Sequence, residues 1–179
     1  MVRYEEVKLK LKVVTLGMVL ILCAFKVYGG EDYLKAAEGV SFAYGHVQRT
    51  GGDMIADPNS ETGFRWINTK LANMGETNRI PLKKGHGFHV KLLLFKLPSA
   101  TKSIQVSMTH PQMNLPTGEV LKSSSFRIPT QLNGAFPEAS LSYTLDEDYE
   151  LVAGDWVVTF THLGAELFNI KFVTYVDEL

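Results

Sequence analysis

Between Ser140 and Val176 apolar and polar residues alternate in three short runs separated by turn residues. Leu141, Tyr143 and Leu145 fall on one face of an extended chain, because successive strand side chains point to opposite sides. Trp156, Val158 and Phe160 repeat the pattern, and Phe168, Ile170 and Phe172 repeat it again. Ala153-Gly154-Asp155 and Leu163-Gly164-Ala165 stand between the runs, where glycine admits a positive φ. Three strands with such short connections predict antiparallel neighbours.

The same periodicity extends upstream. Val40–Thr50 places Phe42, Tyr44 and His46 on one face, and Phe64–Met74 is aromatic and β-branched enough for a second strand. Gly51-Gly52-Asp53 and Asp57-Pro58-Asn59-Ser60 predict a turn-rich loop between them. Ile80-Pro81 is expected to block ladder pairing. The run HVKLLLFKLP is apolar on both faces at Leu92–Phe95, as in a central strand covered on two sides. Ile104, Val106 and Met108 mark a strand expected to stop at His110-Pro111, and the serine-rich Val120–Ile128 is expected at a sheet edge. Seven or eight strands with no amphipathic helix after the leader predict an all-β antiparallel sandwich, with a barrel as the alternative.

Composition fits one domain. Apolar residues at 45% and aromatics at 11% of 179 residues supply a core. A net charge of −1 gives no basic face for nucleic acid. Residues 1–29 hold five basic and two acidic side chains, a net of +3, which leaves 13 basic against 17 acidic in residues 30–179. A basic segment ending at Lys12, an apolar run Val13–Phe25 and a turn-prone Tyr28-Gly29-Gly30 form the layout of a secretory signal peptide over residues 1–29, with an uncleaved anchor as the alternative. Residues 30–39 read as a mobile lead-in and residues 40–179 as the sandwich domain. Cys23, the one cysteine, reads as apolar filler of the leader, so the body carries no disulfide and relies on its core.

Candidate chemistry is sparse. Asp146, Asp148 and Glu150 alternate as calcium ligands would, but Leu151 and Val157 stand where an EF-hand needs glycine and glutamate. The cluster therefore reads as an exposed turn. His86 and His89 fall on opposite faces of a strand, and His46, His110 and His162 complete no zinc motif. No nucleophile elbow or phosphate loop is present, so no catalytic residue, metal or cofactor is expected. Trp66 and Trp156 could stack on a sugar but read as core. Gly154 makes a turn, Trp156 anchors the strand after it, and Tyr143 is expected to send its hydroxyl to backbone across the corner.

A set of segments carries a family resemblance. Ile80-Pro81, Gly85-x-Gly87-Phe88, His110-Pro111 with Pro116-Thr117-Gly118, and above all Tyr149-Glu150-Leu151-Val152-x-Gly154-Asp155-Trp156 resemble a bacterial family of domains of unknown function, numbered thirty-eight fifty-nine. The likeness spans about residues 40–176. It implies an immunoglobulin-like domain exported by a Gram-negative bacterium, and it carries over no catalytic residue.

These readings predict a non-catalytic binding or assembly module, periplasmic or secreted, with an inner-membrane tether if the leader is retained. The expected partner is an envelope protein, met by His110, Gln112, Asn114 and Glu119 in the loop after the fourth main strand and by Val120–Ile128 as a strand acceptor. The alternative is a small-ligand or carbohydrate binder using loops at one end of the sandwich.

Overall fold

The alternation becomes hydrogen-bonded ladders along most of the chain. The computed structural model describes residues 33–57 and 64–176, so the expected signal peptide and Cys23 lie outside the described residues. Ten strands follow in order: β1 Leu34–Ala36, β2 Val40–Ala56, β3 Phe64–Gly75, β4 Arg79–Pro81, β5 His86–Leu94, β6 Ser103–Asn114, β7 Val120–Asn133, β8 Phe136–Thr144, β9 Gly154–His162 and β10 Ala165–Tyr175. The eight main strands are those the periodicity predicts. β1 and β4 are three residues each, too short to leave an alternation of their own.

One sheet runs β1-β10-β9-β6-β7 and the other β7-β8-β5-β2-β3, so β7 belongs to both. Its first part pairs with β6 as far as Ser103↔Pro129, and its last four residues, Thr130–Asn133, pair with Phe136–Ala139 of β8. All these ladders are antiparallel except that of β4, which lies parallel to β10. The result is an immunoglobulin-like antiparallel sandwich with ten strands among the described residues.

Apolar positions from both sheets meet between the layers. Phe88, Val90 and Leu92 of β5 face inward from one sheet; Trp156, Val158 and Phe160 of β9 and Phe168, Ile170 and Phe172 of β10 face inward from the other. Phe88 stacks on Phe172 at 4.3 Å between ring centroids, close to parallel at 11°. Trp156 meets the edge of Phe88 at 6.1 Å, and its 0% exposure makes it core rather than a sugar platform. Leu92 and Leu94 are buried and Leu93 half-buried, which fits β5 lying between β2 and β8.

Five local expectations are corrected. Val120–Ile128 is no edge strand, since β7 joins the sheets; among the described residues β3 ends one sheet. Ile80-Pro81 does not stop pairing. Proline cannot donate, but Leu82 N–H donates to the Tyr175 carbonyl at 2.8 Å just beyond it. Gly51-Gly52-Asp53 is absorbed into β2 by register shifts instead of forming a loop, and the described part of the lead-in carries β1, with Leu34↔Ile170 on β10. His110-Pro111 does not end β6; the strand passes it through a register shift between Thr109 and Met113.

Two glycines fix how closely elements approach. A Cβ on Gly87 would overlap the Tyr143 carbonyl oxygen of β8. Gly154 has φ +139°, and a Cβ there would lie 2.9 Å from Pro111 Cγ, so β9 starts directly against the irregular part of β6. Gly87→Ala is expected to cost about 3 kcal/mol or prevent folding, because backbone must shift to admit the methyl group. Gly118→Ala, which meets nothing within 4 Å, is expected to cost only about 1 kcal/mol through its positive φ. Urea unfolding of the two variants checks this, and equal midpoints would contradict it.

Candidate functional site

β8 delivers the chain into a tight acidic turn. Leu145 is fully buried, its N–H donating to the His86 carbonyl at 2.8 Å while its own carbonyl accepts from Gly85 N–H at 2.7 Å. A single 3-10 turn, Asp148–Glu150, follows. Glu150 folds back over it: Oε2 accepts from the N–H groups of Asp146 and Glu147 at 2.6 and 2.8 Å. Oε1 accepts from the Tyr143 hydroxyl at 2.5 Å. Acceptance of free N–H groups at a helix start by a carboxylate three residues on is the capping-box solution. The cluster expected as an exposed turn therefore has one buried member, Glu150, at 8% exposure. Tyr143, expected to send its hydroxyl to backbone, donates to the Glu150 carboxylate instead.

Burial pushes the Glu150 carboxyl above its ordinary value, against the pull of Tyr143 and the two backbone donors. Burial first, and then the neighbouring Glu150 charge, raise the Tyr143 hydroxyl and keep it protonated, hence a donor. Beside them Arg49 donates to Asp146 Oδ2 at 2.5 Å, with both side chains less than one-fifth exposed. The Arg49 guanidinium also lies 3.5 Å over the Trp66 ring, so one side chain ties β2, β3 and the acidic turn together. Trp66 is thus half-buried under a cation and is not core.

Between this turn and the opposite sheet lies a cleft of about 550 Å³. Met108, His110 and Met113 of β6 and Phe126 of β7 form one wall, and Met54 and Leu71 of the β2–β3 ribbon close part of the other. Asp146, Glu147 and Glu150 supply its charge. The described lining includes no basic side chain. Such a site, apolar with a few placed polar groups, is the form in which proteins take small ligands.

The structure separates the four residues expected at a partner surface. Gln112, Asn114 and Glu119 are exposed, with Gln112 Nε2 donating to Asn114 Oδ1 at 3.1 Å. His110 is corrected: at 8% exposure it lines the cleft and packs on Trp156 at 5.0 Å between centroids. Its Nδ1 is 2.9 Å from the Pro111 carbonyl. Of the other histidines, His46 Nε2 meets His86 Nδ1 at 2.8 Å in a stacked pair, away from the cleft. His89 lies on the other face of β5 from His86, as the spacing predicts. Among the described residues no group of three or more His, Cys, Asp or Glu could hold a metal ion. Sequence reading missed Arg49 and the methionines. The signal for the latter was Met108-x-His110-x-x-Met113, hidden because strict alternation puts Met113 on the opposite face to His110.

Comparison with known proteins bears on the fold. The chain is similar to an immunoglobulin-like protein from Pseudomonas aeruginosa known from its crystal structure, at a TM-score of 0.51 and 18% identity, over 82% of this chain and 100% of that one. No family model matches the chain. No curated protein matches it.

The buried carboxyl gives a pH-dependent expectation. A folded-state value above the ordinary 4.5 means that Glu150's contribution is fully present below that pH and is lost as pH rises through the folded value. Tyr143→Phe removes a donor to the charged form and raises that value further. The variant is expected to lose little stability in acid and about 2 kcal/mol at neutral pH and above. Urea unfolding across that range reads it; a loss independent of pH would contradict it.

Proposed function

We propose that this protein is an exported, non-catalytic binding module of a bacterial envelope, and that it holds an amphipathic small ligand in the cleft between its sheets. Export rests on the layout of residues 1–29 and on the resemblance to family thirty-eight fifty-nine. The cleft carries the binding reading: at about 550 Å³ it has the size and apolar lining of a small-molecule site. Its polar groups support binding over chemistry. Glu150 is engaged by three donors and Asp146 by Arg49, so both carboxylates are committed to holding the turn in place. Exposed Gln112, Asn114 and Glu119 lie on either side of Met113 in the chain and offer a polar rim.

Native mass spectrometry of full-length protein isolated from its own envelope fraction tests the reading, together with a thermal-shift screen of lipids and oligosaccharides. A ligand at ten times its Kd adds about 1.4 kcal/mol, which raises Tm by about 3–6 °C. Ser124→Trp, which places an indole into the cleft from β7, is expected to abolish the shift and any co-purified mass. No bound mass and no shift, or a shift that survives Ser124→Trp, would overturn it.

A further inference from the structure

The cleft wall on β6 has a composition that the binding reading does not use. Met54, Met74, Met108 and Met113 are the methionines of the described residues, and three of the four line this one cleft together with His110. Met108 and His110 are two apart on a strand and share its inward face, about 6.6 Å apart along the chain. Met113 is three residues further, and unbroken alternation would turn it outward. The register shift between Thr109 and Met113 resets the phase, so Met113 is buried at 4% exposure on the same side. Pro111, inside the shift, is held against Gly154, where a side chain would collide. The irregularity is thus built into the packing, and its effect is to bring two thioethers and an imidazole to one wall.

His110 is prepared as a ligand would be. A carbonyl oxygen can only accept, so the Pro111 contact at 2.9 Å puts the proton of the neutral ring on Nδ1 and leaves the lone pair on Nε2. Metal-bound histidines commonly donate their second ring nitrogen to a carbonyl in this way. The donor set selects among cations. Thioether sulfur is a soft ligand that suits Cu(I), whereas calcium and magnesium need oxygen cages and structural zinc needs more histidine or cysteine than the cleft holds. Methionine side chains are unbranched and adaptable, so their sulfurs can converge without backbone movement. Met54, 54% exposed on the β2–β3 ribbon, lines the same cleft from its solvent side.

We propose that Met108, His110 and Met113, with Met54 at the mouth, form a binding site for Cu(I) on the β6 wall of the cleft. This inference rests on the cleft reading and names the class of its ligand. Binding is of the reduced ion as such and involves no electron transfer.

Full-length protein under anaerobic ascorbate is titrated with Cu(I) against bicinchoninate as a coloured competitor, with Zn(II) as the control ion. One Cu(I) per chain and no Zn(II) is expected. In protein labelled with carbon-13 at the methionine methyls, the Met108 and Met113 signals are expected to move while Met74, outside the cleft, stays. Trp156 emission should be quenched, because His110 packs against it. The volume-conserving pair Met108→Leu and Met113→Leu is expected to keep the fold and lose the ion. Failure to retain Cu(I) against the competitor, or retention with the Met108 and Met113 methyls unmoved, overturns the site, and the methyl signals decide on wild-type protein even if the variant does not fold. If Cu(I) is not held but a ligand sensitive to Ser124→Trp is found, the metal assignment falls and the cleft reading stands. If neither binds, both fall.

Discussion

The contact of Phe88 with Phe172 is the join on which the two layers depend. One ring comes from β5 of one sheet and the other from β10 of its partner sheet, and the pair is flanked by Tyr143 and Trp156. Large aromatic surfaces removed from water supply the main attraction between sheets, at about 25 cal/mol per Å². No thiol is available in the body to staple them. The tight approach of β5 to β8 at Gly87 follows from the same need, since a side chain there would hold the strand carrying Phe88 away from its neighbour.

Most of this core was legible in the sequence because it obeys a period of two. Trp156-Val158-Phe160 and Phe168-Ile170-Phe172 announce an inward face by spacing alone, and the structure pairs them as Trp156↔Phe172, Val158↔Ile170 and Phe160↔Phe168. What escaped is what departs from that period or depends on distance in space. β1 and β4 are too short to show a pattern and are set by pairing with β10. The role of β7 as the strand that changes sheets has no local signature; a serine-rich strand half-exposed along its length looks the same at an edge.

The cleft was the least legible part for the same reason. Its walls come from β2, β3, β6, β7 and β8 and from the turn at residues 145–150, and no two of its charged groups are recognisable as partners from spacing. Arg49 and Asp146 stand 97 residues apart. Glu150 looks like one more charge in a soluble run, yet its carboxylate is what satisfies the open N–H groups of the turn. His110 and Met113 were separated on paper by a parity rule that the irregularity in β6 cancels.

The sharing of β7 has a mechanical meaning. Because one polypeptide segment is stitched into both layers around Pro129 and Thr130, the layers cannot slide past each other or part at that seam without tearing a ladder. Any widening must therefore resemble the opening of a book about its spine, with the greatest travel at the ribbon of β2 and β3 and almost none beside the seam. Tyr33, hydrogen-bonded beside β10, meets Tyr44 of β2 at 2.9 Å between hydroxyls, a polar latch across those opening pages.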